Sequence, residues 1–403
     1  MRADALARAR AVAEKLALGA ALASIGYAAF ALARVRAFER TLREPPRPSR
    51  RPPITVLKPV RGLEPQLEEN LRSFCAQDYP DYHVVLGVRR ASDPALPLLR
   101  RLAAEFPDRT DVVAGDDAAS GEPGATTLRN PKIANLAPML ARARGEILVI
   151  ADSDMRVEPH YLDAVAEAFD DPAIGAATAI YRGEPDDRGL ASALGAMWIT
   201  EQFAPSALVS AALEPLAHTF GATMAVRREV LDEIGGLAAL GDRLADDHAL
   251  GRLVAERGHR VALARCVVTN VVSESGLVAL VRHELRWART IRTVRRGGYL
   301  GIVLTYPLPL AVLHLALARR RVRALPLVAV AAALRLALGV AARRTFNGRP
   351  PAARTPCAQM AVSAALAPLR DVLGIAVWAL GLGGGNVRWR EDALSVDPRG
   401  GIR

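Results

Sequence analysis

The chain has 403 residues, long enough for one large or two medium domains with a sizeable core. It is 51% hydrophobic yet 24% charged, which calls for apolar segments set apart from charged ones. The formal net charge of +11, carried by Arg far more than Lys, favours anionic lipid headgroups or phosphorylated substrates. Nucleic acid is disfavoured, because no basic run interleaved with aromatics and no zinc-finger or helix-turn-helix signature is present. Cys75, Cys266 and Cys357 are far apart and lack metal-ligand spacing, so none is given a chemical role.

In chain order, Leu16 to Ala33 is an uncharged apolar run flanked by Arg on both sides. It is long enough for a bilayer span, and the heavier basic load beyond Ala33 places the next segment of the chain in the cytoplasm. Pro45, Pro46, Pro48, Pro52 and Pro53 then make a stiff linker. From Ile54 strand and helix signals alternate. Strands are predicted at 54–57, 83–88, 111–114, 147–151, 176–181 and 261–269. Helices are predicted from Gly62 to about Cys75, over 94–106, 131–144, 159–169, from Arg228 to Gly235, and over 250–257. This order predicts an α/β domain built on a mainly parallel sheet with ligands at the strand tips. Leu277–Arg296 reads as a strongly basic helix, and 299–318, 324–342 and 356–382 as hydrophobic stretches interrupted by Pro307, Pro309, Arg335, Arg370 and Asp371. Whether each of these spans, re-enters or lies at the interface stays open.

The stretch Ile147-Leu-Val-Ile-Ala-Asp-Ser-Asp154 ends a buried strand in two carboxylates one residue apart. Hard divalent cations take oxygen ligands and share them with phosphate oxygens, so Asp152 and Asp154 are candidate metal ligands; a polar turn is the alternative. Asp93 stands at another strand tip, able to meet a nucleoside or to cap the following helix. Asp246-Asp247-His248 opens a helix, where a carboxylate can deprotonate an acceptor hydroxyl or complement the helix dipole. Arg286-Trp287 offers a planar fork for a diphosphate and an aromatic face, on a helix whose other arginines suit anionic headgroups.

Taken together, Leu57-Lys-Pro-Val-Arg-Gly62, Gln77-Asp-Tyr-Pro80, Asp93, Asn130-Pro-Lys-Ile133, Asp152-Ser-Asp154, Gly235-Gly-Leu237, Leu244-Ala-Asp-Asp-His248 and Arg286-Trp287 resemble family 21 and family 2 glycosyltransferases of the ceramide glucosyltransferase type. Thr178-Ala-Ile-Tyr-Arg-Gly183 and His283-Glu-Leu-Arg-Trp-Ala-Arg-Thr-Ile-Arg292 are most similar to bacterial hopanoid-biosynthesis glycosyltransferases. The resemblance runs from about residue 12 to 390. It implies a GT-A fold with N- and C-terminal membrane helices, divided as 1–51 anchor and linker, 52–298 catalytic domain with the basic helix 277–296, 299–385 membrane helices and 386–403 tail. It implies a UDP-sugar donor and a divalent cation (Mg²⁺ or Mn²⁺) on Asp152 and Asp154. Donor contacts are expected from Asp93, Lys132, Asp152, His283, Arg286 and Trp287, and Asp247 is expected as the general base. His283 and His218 depart from the ceramide pattern and point to another acceptor. The expected function is inverting transfer of N-acetylglucosamine to a hopanoid polyol at the cytoplasmic face of a bacterial inner membrane, with ceramide or another glycolipid as the alternative acceptor. A processive synthase, a nucleotide-binding scaffold without activity and a transporter fit less well, and the sequence is silent on oligomeric state.

Overall fold

The computed structural model describes residues 2–115, 128–187, 189–347, 356–383, 386–389 and 392–395. The chain forms two compact units, both discontinuous in sequence. The division expected from the sequence keeps to chain order, whereas Gly189–Ala212 and Glu274–Gly385 join Met1–Arg40 in one unit. Thr41–Arg188, Leu213–Ser273 and Asn386–Arg403 make the other.

The second unit is an α/β sheet domain. Its strands are β1 (Ile54–Val60), β2 (Tyr82–Val88), β3 (Thr110–Ala114), β4 (Ile147–Ile150), β5 (Met155–Arg156), β6 (Ile174–Pro185), β7 (Met224–Arg227) and β8 (Arg260–Val272). They lie in the order β3-β2-β1-β4-β7-β6-β8-β5. Four strands, β3 to β4, run parallel, joined by the helices Leu67–Cys75, Leu96–Glu105 and Pro131–Leu140. Parallel neighbours need such crossovers, which cover both faces and leave the strands rich in apolar residues, with Thr55, Lys58, His83, Thr110 and Asp111 as exceptions. In β4 the side chains alternate between two cores, Ile147 and Val149 on one face and Leu148 and Ile150 on the other.

The expectation of a mainly parallel sheet holds for that half and for β6 with β8, which pair parallel from Ile174 to Pro185, while the remaining pairings make the sheet mixed. β7 pairs antiparallel with both β4 and β6, and β5 antiparallel with β8. The chain between β6 and β7 passes through Gly189–Ala212 of the other unit rather than through one crossover helix, so no parallel return is imposed on β7. Two helix bounds also move. The helix from Pro131 ends at Leu140 rather than near 144, because the Arg142 and Ala143 amides bond only three residues back, a tighter winding than the α-helix. The helix expected over 250–257 begins at Asp246 and runs to Glu256, so the acidic pair lies inside its first turn. A short hairpin, β9 (Asn386–Trp389) with β10 (Asp392–Ser395), belongs to this unit; residues 396–403 of the expected tail lie outside the described ones.

The first unit is helical. Arg2–Thr41 (the residues up to Arg40 in this unit), Arg321–Phe346 and the window Ala364–Gly381 are long and apolar enough to cross a membrane. Arg296–Thr305 and Pro307–Leu317 pass the same test as a pair bent by 73°. The break falls at Tyr306, held at φ −113° and ψ 71° ahead of Pro307, since a residue before proline is pushed out of the α region. Small residues set the packing: Ala21 of the first helix meets Leu310, Ala311 and Ala331. The helices Leu190–Trp198 and Ala204–Leu213, joined by a π-helical turn at Ile199–Phe203, have no counterpart among the predicted elements. Only Leu213, at the end of the latter, falls to the sheet unit.

Candidate functional site: a carboxylate cluster at the tip of strand β4

Asp152 and Asp154 come directly after β4, as expected of ligands at the carboxyl end of a central strand. The Asp152 amide donates to the Gly221 carbonyl at 3.3 Å. A Cβ on Gly221 would come within 2.5 Å of Asp152 Oδ2, so any other residue there would push the Asp152 carboxylate from this position. Asp154 is pinned from β8: Asn270 Nδ2 donates to its Oδ2 at 2.8 Å, and its carbonyl accepts from the Val271 amide at 3.0 Å. Beneath the loop, the Lys58 ammonium donates to the Asp152 carbonyl and sits 3.9 Å over the Phe74 ring. Burial holds Lys58 down at about 7 against the pull of Asp154 and Asp152.

Lys132 draws the cluster together. It is the second residue of the helix Pro131–Leu140, whose N-cap Asn130 accepts from the Lys132 and Ile133 amides. Asn130 also donates through Nδ2 to the Arg243 carbonyl at 2.8 Å, and its amide donates to the Gly241 carbonyl. The same residue therefore fixes both the start of this helix and the loop that leads into Asp246. Lys132 Nζ lies 2.7 Å from Asp152 Oδ1 and 3.1 Å from Asp246 Oδ2. Burial works against its charge, but Asp152, Asp246 and Asp247 outweigh that cost and hold the ammonium above its ordinary range.

Asp247 occupies the first turn of the helix Asp246–Glu256 without capping it, since Ala245 holds the cap position and no side chain closes it. Its Oδ1 accepts from the His248 amide at 2.7 Å, and its carbonyl takes both the amide and the hydroxyl of Thr219. Burial, then the neighbouring Asp246 charge, push its carboxyl up to about 7. A carboxyl in that range can accept a proton near neutral pH. His218 and His248 stack beside it, ring centroids 6.0 Å apart and 14° between planes. Burial lowers both, His248 to about 4 with help from His218 and Arg252, so the pair is neutral at pH 7. Gly251 makes room for this, since a Cβ there would collide with the His218 backbone.

Asp93 turns inward to backbone. Its Oδ1 accepts from the Gly62 and Ala95 amides at 3.0 and 2.9 Å, tying the tips of β1 and β2 together. His283, Arg286 and Trp287 lie in the helical unit, on Leu277–Val294. There His283 Nδ1 is 2.6 Å from Glu274 Oε1, and its ring meets Trp287 edge-on at 4.3 Å. Trp287 in turn stacks on Trp198 at 5.2 Å. Gly221, Asn270 and Trp198 carry contacts that no sequence motif singles out, while Lys58 lies in the motif Leu57-Lys-Pro-Val-Arg-Gly62 without a role read for it there.

The donor set at β4 suits a hard divalent cation. Asp154 Oδ1 is buried with no hydrogen-bond partner, and burial together with Asp152 and Glu64 pushes the Asp154 carboxyl up to about 7. A buried acceptor left unpaired beside a second carboxylate is the arrangement that a cation would complete. Among the described residues no group of three or more His, Cys, Asp or Glu converges, so the remaining ligands would come from a substrate or water.

A family model described as Glycosyl transferase family 21 matches residues 16–402. Ceramide glucosyltransferase 3 of Caenorhabditis elegans is 24% identical over 241 residues, 59% of this chain and 50% of that protein. A ceramide glucosyltransferase of Pyricularia oryzae is 36% identical over 114 residues, 26% of this chain and 23% of that one. The chain thus spans half the length of the first relative and about a quarter of the second. Among solved structures, the mannosyltransferase PcManGT from Pyrobaculum calidifontis, in complex with GDP-Man and Mn2+, aligns at a TM-score of 0.48 and 23% identity, covering 94% of this chain and 100% of that one. TarS of S. aureus in complex with UDP-GlcNAc aligns at 0.38 and 13%, covering 85% and 96%. With its α/β sheet domain, its candidate membrane helices and a family model matched along nearly its whole length, the chain belongs to glycosyl transferase family 21.

Proposed function

We propose that this protein is an inverting glycosyltransferase that moves a sugar from a nucleoside diphosphate donor to the hydroxyl of a membrane lipid. The observation that carries the proposal is the grouping of Asp152, Asp246 and Lys132 within ion-pair distance, with Asp247 next in the chain and the unpartnered Asp154 Oδ1 two residues from Asp152. In this reading Asp154, through Oδ1, and Asp152 hold a divalent cation. When bound, that cation neutralises the leaving nucleoside diphosphate. Asp247 takes the proton from the acceptor hydroxyl as it attacks the anomeric carbon, and Lys132 balances the carboxylates through the step. One base and one leaving group make a single displacement, hence inversion. Asp93 is assigned to the nucleoside, and His283, Arg286 and Trp287 to the donor, on the motif resemblance.

For the donor and acceptor we propose UDP-N-acetylglucosamine and a hopanoid polyol, at the cytoplasmic face of a bacterial inner membrane. The motifs at 178–183 and 283–292 and the histidines at 218 and 283 support this choice. A second reading, glucosyl transfer to ceramide or a related lipid, is favoured by the names of the relatives. Purified full-length chain in lipid nanodiscs, given UDP-N-acetylglucosamine or UDP-glucose with either acceptor, separates the two. Turnover should fall by about 10²-fold or more in Asp247→Asn and stop in EDTA. Unchanged turnover in Asp247→Asn sinks the catalytic assignment, and indifference to EDTA sinks the metal one.

A further inference from the structure

We propose that the helical unit carries a binding site for the phosphodiester headgroup of an anionic phospholipid, at the end where the first helix meets the turn before Arg321–Phe346. Arg10, Arg319, Arg320, Arg321 and Arg323 line a cavity of about 600 Å³ there. All five are exposed. The turn is fastened to the first helix by the Arg319 amide, which donates to Glu14 Oε1 at 3.3 Å, and by Arg319 Nη2, which donates to the Ala7 carbonyl at 3.4 Å. The cavity wall is therefore built from two elements held together, rather than from one run of basic residues.

The distance of this site along the bundle comes from the packing. Ala21, Leu310, Ala311 and Ala331 share one cluster and so mark one level of the bundle. Arg10 precedes Ala21 by eleven residues and Arg321 precedes Ala331 by ten. At about 1.5 Å per residue both lie roughly 15–17 Å along the helices from that level, which is about half of a ~30 Å hydrocarbon core. With that level at the bilayer midplane, the arginines stand at the edge of the hydrocarbon, where the headgroup region begins.

The chemistry selects a phosphate diester on a lipid. Guanidinium forks match phosphate oxygens two at a time, and five arginines with the single carboxylate of Glu14 against them leave a net positive charge that an anion would offset. A free phosphate would meet the charges but leave the surrounding apolar surface uncovered. Val322, in the middle of the basic turn, is 78% exposed, and Val12 and Leu16 are exposed along the first helix. Acyl chains would lie against these side chains, which gives the site a reason to prefer a lipid. None of these residues belongs to the carboxylate cluster, so the lipid site stands or falls apart from the proposed reaction.

The test is native mass spectrometry of the full chain released from micelles holding equal phosphatidylglycerol and phosphatidylcholine. Wild-type protein should retain phosphatidylglycerol preferentially. The triple variant Arg319→Gln/Arg320→Gln/Arg323→Gln should lose that retention at least fivefold, and the single variant Arg320→Glu should weaken it in the same direction with an unchanged melting temperature. A control triple at the opposite end, Arg36→Gln/Arg40→Gln/Arg344→Gln, should keep it. Equal retention of the two lipids by wild type overturns the proposal, as does equal loss in the control, which would reveal only diffuse boundary charge. Displacement of the lipid by millimolar inorganic phosphate would assign the site to phosphate alone and overturn the lipid assignment.

Discussion

Lys132 is the residue on which the electrostatics of the cluster turn. It lies between a carboxylate of the β4 tip and one of the helix Asp246–Glu256, and it lowers the proton affinity of Asp247 from nearby. Asp247 is raised by burial and by Asp246, and only its deprotonated form can act as a base. Activity should accordingly rise with pH through about 7 and level off above it. Lys132→Met removes the positive charge that opposes the rise, so the acid limb of the kcat/KM profile should move to higher pH by about 1–2 units. A pH–rate profile that keeps its acid limb in place would sink this coupling. Asp152, Asp154 and Asp247 are legible in the sequence because each ends or opens an element with a recognisable pattern. The contacts that hold them are not. Lys58 reaches a carbonyl 94 positions away, and Asn270 a carboxylate 116 positions away, so neither leaves a local signature.

The same contrast governs the elements. Helices and strands with clear periodicity are legible to within a few residues, including the crossover helices that make β1 to β4 parallel. Leu190–Leu213 is not, because it is apolar around most of its circumference, without the polar face that marks a surface helix. Its use becomes clear from the charges it meets. Glu201, on the π-helical turn Ile199–Phe203, accepts from Arg335 Nη1 at 2.8 Å and from Arg343. Arg335 Nε also donates to Asp371 at 3.0 Å, and Arg370 forms a two-bond fork with Glu284, both at 2.7 Å. The interruptions Arg335, Arg370 and Asp371, which in sequence blur the membrane stretches, are thus paired inside the helical unit. Gly339 lets Glu201 come close, since a Cβ there would stand 2.8 Å from Glu201 Oε2. Removing one partner leaves buried charge uncompensated, at a cost of roughly 3–5 kcal/mol. Arg335→Leu should therefore lower the melting temperature strongly, and adding Glu201→Gln and Asp371→Asn should recover part of the loss. Thermal unfolding in detergent measures this; a triple variant no more stable than Arg335→Leu would show that pairing is not what the network supplies.

On the scale of the whole molecule, the division into a sheet unit and a helical unit is only partly visible along the chain, because the helical unit is assembled from three separate segments. Composition shows the first and last of them; the middle one lies between β6 and β7, where a crossover helix is the ordinary expectation. The structure does resolve how the basic clusters are disposed. Arg319, Arg320 and Arg321 stand at the start of the 26-residue helix Arg321–Phe346, and Arg343 and Arg344 near its end. At about 1.5 Å per residue this helix is about 39 Å long, longer than a ~30 Å hydrocarbon core. Ala21 and Ala331 share one level, while Phe38 and Phe346 meet with ring centroids 6.3 Å apart, so the first helix and this one run in the same direction. If both cross the bilayer, the ends of each face opposite sides. The measurement is labelling of single cysteines by an impermeant maleimide in sealed, right-side-out vesicles, in a background of Cys75→Ser, Cys266→Ser and Cys357→Ser. Arg320→Cys and Arg344→Cys are both exposed positions and should react from opposite sides. Reaction of both from one side would make Arg321–Phe346 a helix lying along the membrane, and would carry the first helix, packed alongside it from Ala21 to Phe38, into the same orientation.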